Sequence, residues 1–104
     1  MPELKTSTLQ AIQQYVKELE LERGFDHQTV IEKCLFLGEE VGELFKAVRK
    51  TEKIKIDHNS QKHEVSNELA DILIYLCAIA NRYNIDLETA FREKEEINKR
   101  RNWV

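Results

Sequence analysis

The chain has 104 residues, enough for one domain with a modest core. With 41% hydrophobic and 34% charged residues it is expected to be globular and soluble, and is too apolar to be disordered. A net charge of −3 gives no general electrostatic basis for binding nucleic acid or a membrane surface, so neither is expected as a partner.

One Pro and three Gly leave few helix breakers, so helices should dominate. Ser7 to Gln10 reads as a capping box, and Leu9, Ile12, Val16 and Leu19 follow at helical spacing. A first helix is expected over about 8–22, with Gly24 as its end signal. Asp26 can cap a second helix over about 28–50. Its stripe Cys34, Leu37, Val41, Leu44 and Val48 is the expected core face, widened by Ile31, Leu35 and Phe45. Gly38 and Gly42 leave room for another helix to approach. The polar stretch "TEKIKIDHNSQK" (51–62) reads as a connector, and Asp57 or Ser60 would cap a third helix over about 61–83 that ends at Asn84. Asp86 then caps a fourth helix over about 87–101, whose inner positions are Leu87, Ala90, Phe91 and Ile97. Four amphipathic helices with short connections predict an all-α, antiparallel four-helix bundle forming a single domain over 1–104.

Cys34 and Cys77 both fall on apolar helical positions and are expected as reduced core thiols. The N-terminal "MPELKTSTLQ" lacks the apolar segment of a signal peptide, and the apolar run 69–80 is too short to span a bilayer. A cytoplasmic location follows as the expectation.

The same apolar run is preceded by carboxylates. "ELAD" places Glu68 and Asp71 on one face of the third helix, and "GEEVGE" places Glu40 and Glu43 on one face of the second, with Glu39 beside them. The lines Phe36, Glu40, Glu43, Ala47 and Glu64, Glu68, Asp71, Tyr75, Ala78, Arg82 each run beside the main apolar face. If the two helices pack against each other, four acids converge, and their mutual repulsion calls for a cation. An oxygen-only donor set suits Mg²⁺ or Mn²⁺. Zinc is a poor fit, because no Cys or His joins the set, and a di-iron site would require Glu-x-x-His. The competing reading is an ordinary solvated face; it is weak for Asp71, which has no basic partner three or four residues away. The fourth helix carries Lys94, Asn98 and Arg101 on one face, either as phosphate-binding donors or as a basic end complementing the helix dipole. His27, His58 and His63 read as capping or loop residues, and Trp103 as a terminal packing residue.

The ordered set Glu39-Glu40-Val41-Gly42-Glu43, then Glu68-Leu69-Ala70-Asp71, then Lys94, Asn98 and Arg101 resembles the MazG-like all-α nucleoside triphosphate pyrophosphohydrolases, over roughly residues 25 to 103. That resemblance implies Mg²⁺-dependent hydrolysis of a nucleoside triphosphate to the monophosphate and pyrophosphate, in a nucleotide-pool-cleaning role. It implies metal binding by Glu40, Glu43, Glu68 and Asp71, and a part for Glu39 in a second metal site or in orienting and deprotonating water. Tyr75 would face the nucleotide, and Lys94, Asn98 and Arg101 its phosphates. The first 50 residues hold no tryptophan, which in some relatives forms a base pocket, so base preference stays open. The resemblance implies a homodimer or homotetramer, with Phe36 and Ile74 as apolar residues outside the main core face. A dUTP- or phosphoribosyl-ATP-specific enzyme of the same superfamily, or a non-catalytic helical interaction module holding a structural cation, are the alternatives.

Overall fold

Thr8, rather than Ser7, caps the first helix of the computed structural model, which describes residues 2–5, 7–53 and 63–101. The Thr8 hydroxyl accepts from the Ala11 amide at 3.1 Å, and α1 runs Leu9–Arg23. It ends as expected at Gly24, whose φ of 74° is a left-handed conformation that a Cβ would disfavour. Thr29, not Asp26, caps α2 (Val30–Thr51): its hydroxyl accepts from the Glu32 amide at 3.1 Å, and the Glu32 carboxylate accepts from the Thr29 amide at 3.0 Å. α3 spans His63–Arg82 and gives way to Asn84, at φ 54°. α4 spans Leu87–Lys99 and is capped, as expected, by Asp86 accepting from the Thr89 amide at 3.2 Å. The cap expected at Asp57 or Ser60, most of the connector, His58 and Trp103 lie outside the described residues. All described elements are helices, and none is long and apolar enough to cross a membrane.

α2 and α3 form the most extensive helix pair, α1 packs across α3, and the main packing partner of α4 is α1. The core is Val16 and Leu19 of α1 against Cys77 and Ala78 of α3, with Ile12, Tyr15, Ile74 and Leu87 packed around it. Gln13 ties three segments together. Its amide nitrogen donates to the Asn81 carbonyl oxygen at 2.9 Å and to the Ile85 backbone carbonyl, its oxygen accepts from the Leu87 amide at 3.0 Å, and Asn81 donates back to its backbone carbonyl at 3.1 Å. A buried amide with all these bonds satisfied fixes where α4 leaves the α3 turn.

The faces turn differently from the expectation in three places. On α2, Lys33 and Ala47 are buried, whereas Cys34, Ile31, Leu35, Phe45 and Val48 are exposed. Cys77 is thus a core thiol, and Cys34 is a surface one. On α4, Phe91 and Ile97 are exposed, leaving Leu87 and Ala90 as its inner positions. Ile74 packs on the core, and Phe36 is half-buried against Tyr75, so both serve the protomer itself. The periodicity located apolar faces correctly but could not say which of them the protomer covers. The exposed line Ile31, Leu35, Gly38, Gly42, Phe45 keeps 4-3-4-3 spacing, and Leu69, Leu73 and Leu76 form its counterpart on α3. Among the described residues, and leaving aside the adjoining residues of α2, nothing lies within 4 Å of where a Cβ at Gly38 or Gly42 would stand.

Candidate functional site

The pairing of α2 with α3 brings Glu40 to Glu68 and Asp71. Carboxylate oxygens of these three residues all lie within 4.8 Å of one another. Glu40 and Glu68 are half-buried and Asp71 is exposed, so the cluster has a closed floor and an open side. Glu68 Oε2 is buried without a hydrogen-bond partner among the described residues. The carboxyl of Glu40 is pushed up to about 7, first because it shares a hydrogen bond with Glu68 when protonated, then by burial, then by the charges of Glu68, Asp71 and Glu43. Glu43 is exposed and stands outside the three-residue set, although its charge reaches Glu40. Glu39 is exposed on the same turn. An orphaned carboxylate oxygen facing an all-oxygen donor set fits a hard divalent cation, which would satisfy that oxygen and cancel the repulsion.

Beside the cluster lies a cavity of about 310 Å³, shared between α1, α2 and α3, whose lining includes Asp71, Tyr75, Phe36, Phe25, Lys33 and Glu20. Tyr75 borders both regions. Its hydroxyl is raised above its ordinary value by burial and then by the charges of Glu40, Asp71 and Glu39. The Phe36 and Tyr75 rings meet at 6.1 Å with a 43° tilt. A larger groove of about 580 Å³ opens between α1 and the α3–α4 turn, but its lining of Thr8, Gln14, Lys17 and neighbours contains none of the clustered acids. Of the two, the smaller cavity is the one that adjoins the clustered acids, through Asp71.

Lys33, Glu20 and Arg82, absent from the sequence-based site, form an ion triad in which Lys33 and Glu20 are buried and line that cavity and Arg82 is half-buried behind them. Lys33 Nζ lies 3.2 Å from Glu20 Oε2, and Arg82 engages both Glu20 oxygens. Burial alone would raise the Glu20 carboxyl, but hydrogen bonds from Arg82 and Lys33 outweigh it and hold the group below its ordinary value of 4.5. The available signal was register: Lys33 is two turns before Glu40 on one face of α2, and Arg82 lies on the Glu68–Asp71–Tyr75 line of α3.

Lys94 is exposed on α4, and among the described residues it makes no ion pair with the clustered acids. Asn98 donates to Glu95 of its own helix at 3.5 Å, and Arg101 follows the end of α4. Lys94 and Asn98 therefore stand on α4, whose main packing partner is α1, and the acids stand on the α2–α3 pair.

No curated protein matches the chain significantly. A family model described as the MazG nucleotide pyrophosphohydrolase domain matches residues 25–104, a span that takes in α2, α3, α4 and every acid of the cluster. The chain belongs to the MazG nucleotide pyrophosphohydrolase family.

Proposed function

We propose that the chain, acting as a single domain over 1–104, hydrolyses a (deoxy)nucleoside triphosphate to the monophosphate and pyrophosphate with Mg²⁺, or Mn²⁺ in its place, in a nucleotide-pool-cleaning role. The observation that carries this reading is the continuity of the Glu40–Glu68–Asp71 cluster with the aromatic cavity, since Asp71 belongs to both. One end suits a cation and phosphates, and the other suits a flat, apolar ring.

Glu40, Glu68 and Asp71 would hold the cation, with Glu43 completing the set from one turn further along α2. When bound, the cation supplies charge neutralisation and Lewis acidity at the phosphate oxygens. Glu39 orients the attacking water and takes its proton. Tyr75 faces the nucleotide where phosphates give way to sugar and base. Lys94, Asn98 and Arg101 supply donors to phosphate oxygens. Attack at the α-phosphorus then breaks the bond to the bridging oxygen and releases pyrophosphate.

A homodimer or homotetramer is part of the same reading. It is supported by the exposed apolar lines of α2 and α3 and by the open surroundings of Gly38 and Gly42. A cytoplasmic location fits the free thiols of Cys34 and Cys77.

Product identity tests the reaction. With Mg²⁺ and a nucleotide panel, chromatography should find monophosphate and pyrophosphate, and inorganic phosphate should appear only after a separate pyrophosphatase is added. Direct formation of diphosphate plus phosphate would overturn the proposal.

A further inference from the structure

Lys33 carries a full charge into the interior at a place where α2 is lined by rings. Its side chain is 5% exposed. Its Nζ stands 5.3 Å from the centroid of Phe25, 5.5 Å from Tyr75 and 6.0 Å from Phe36. Such a cage of aromatic faces ordinarily receives a cation from a ligand. Here the protein's own ammonium occupies that role, so a second cation would be repelled.

An ammonium has three donors and no acceptor. One donor serves Glu20, at 3.2 Å. Among the described residues no other acceptor meets the ammonium, which otherwise faces the three rings. Glu20 has little capacity left, because its two oxygens already accept from Arg82 at 2.9 and 2.8 Å as well as from Lys33. The inner end of the cavity therefore donates hydrogen bonds and has few to accept. A ligand that fits it is flat, to lie against the rings, and presents an acceptor oxygen at its edge.

We propose that this cavity seats the nucleobase of the substrate and that Lys33 is a specificity-determining residue donating to a ring carbonyl oxygen. The inference rests on the pyrophosphohydrolase reading and deepens it by naming the substrate class: nucleotides of the oxo-bases uracil, thymine, cytosine and guanine, in preference to adenine, which has no carbonyl. Adenine can accept only at ring nitrogens, and N1 and N7 are flanked by its amino group, which offers a donor where the pocket needs an acceptor, so it pairs with Lys33 less well than a carbonyl does.

The test measures binding of the non-hydrolysable α,β-methylene triphosphates of uridine and adenosine to the full chain by calorimetry with Mg²⁺. The uridine compound should bind about tenfold more tightly, the loss expected when one charge-assisted hydrogen bond is weakened by a donor beside its acceptor. Lys33→Met fills the same stem volume and leaves Glu20 paired with Arg82. It should bring the ratio within about threefold, mainly by weakening the uridine compound, while binding of methyl triphosphate, which has no base, stays unchanged. Lys33→Arg keeps donors at the site and should preserve the direction of the preference; it decides the matter if circular dichroism shows Lys33→Met unfolded. Equal binding of both compounds by the parent overturns the inference, as does a ratio that Lys33→Met leaves unchanged. Base-selective binding without pyrophosphate release from the natural triphosphates overturns the hydrolase reading alone. Pyrophosphate release without base preference overturns this inference alone.

Discussion

Glu20 and Arg82 meet fork to fork across the α1–α3 contact, Nη1 to Oε1 at 2.9 Å and Nη2 to Oε2 at 2.8 Å. The guanidinium also caps the turn after α1: Nε donates to the Gln28 carbonyl at 2.9 Å and Nη2 to the Phe25 carbonyl at 3.1 Å. One residue of α3 thereby holds the segment that carries Phe25 into the cavity. Because Lys33 shares the same carboxylate, Glu20→Gln would leave a buried and a half-buried cation facing a neutral amide. The variant should lose about 3 kcal/mol of stability, read as a drop of roughly 10 °C or more in melting temperature. A loss within about 0.5 kcal/mol would show that the triad is only a surface-grade ion pair.

The same carboxylate sets a pH dependence. Its folded-state pKa is depressed, so its contribution is complete above the ordinary value of 4.5 and is lost as pH falls through the lower, folded value. Melting temperatures taken from about pH 6 down to about pH 3 should fall more steeply for the parent than for Glu20→Gln. Parallel curves would assign the acid sensitivity to other groups.

The role proposed for Lys94 separates phosphate recognition from metal binding. It is exposed on a helix that packs on α1 and forms no ion pair with the acid cluster among the described residues. Lys94→Ala should weaken nucleotide binding or turnover by about tenfold, while Mg²⁺ affinity of the free protein stays within about threefold. Equal losses of both would make Lys94 a structural residue.

The outward line on α2 predicts assembly. Phe45 is 67% exposed and continues the stripe of Ile31, Leu35, Gly38 and Gly42. A single exposed aromatic is ordinary, but an aligned apolar stripe with two glycines admits a second helix at close range. Phe45→Glu should shift the sedimentation coefficient toward that of a monomer while far-ultraviolet circular dichroism stays unchanged. A parent that is already monomeric at micromolar concentration would dispose of this reading.

The acid cluster was legible in the sequence because three-residue spacing puts Glu68 with Asp71 on one face whatever the tertiary fold, and the helix pairing needed only to bring that face to Glu40. The helices were legible for the same reason, with their ends displaced by one or two residues where Ser7 competes with Thr8, and Asp26 with Thr29, for one cap. Lys33, Glu20 and Gln13 were not legible. Each is a polar residue on an inward face, and its burial is tolerable only because a partner from another helix packs opposite it (Glu20 for Lys33, Arg82 for Glu20, Asn81 for Gln13). Cys34, Phe91 and Ile97 show the reverse difficulty. An apolar position marks a surface removed from water, and the pattern carries no record of whether the same chain or another one removes it.

Charge removal at the cluster distinguishes a metal site from a structural network, and the two α3 acids should respond unequally. Glu68 is half-buried with an orphaned oxygen, and Asp71 is exposed. In Glu68→Gln an amide N–H can donate to Glu40, replacing a contact that otherwise requires a shared proton. Melting in chelator should therefore rise by about 1 kcal/mol. In Asp71→Asn the relieved repulsion is screened by solvent, so the gain should be smaller, about 0.5 kcal/mol. Both variants should lose Mg²⁺-dependent hydrolysis with the fold intact. Added Mg²⁺ should raise the melting temperature of the parent, because a cation bound only by the folded site stabilises it by mass action. The same addition should do little for either variant. If Glu68→Gln instead loses stability in chelator, Glu68 is a structural hydrogen-bonding residue. If both variants keep the parent's Mg²⁺ response, the cation binds elsewhere, and the cluster has no part in the chemistry.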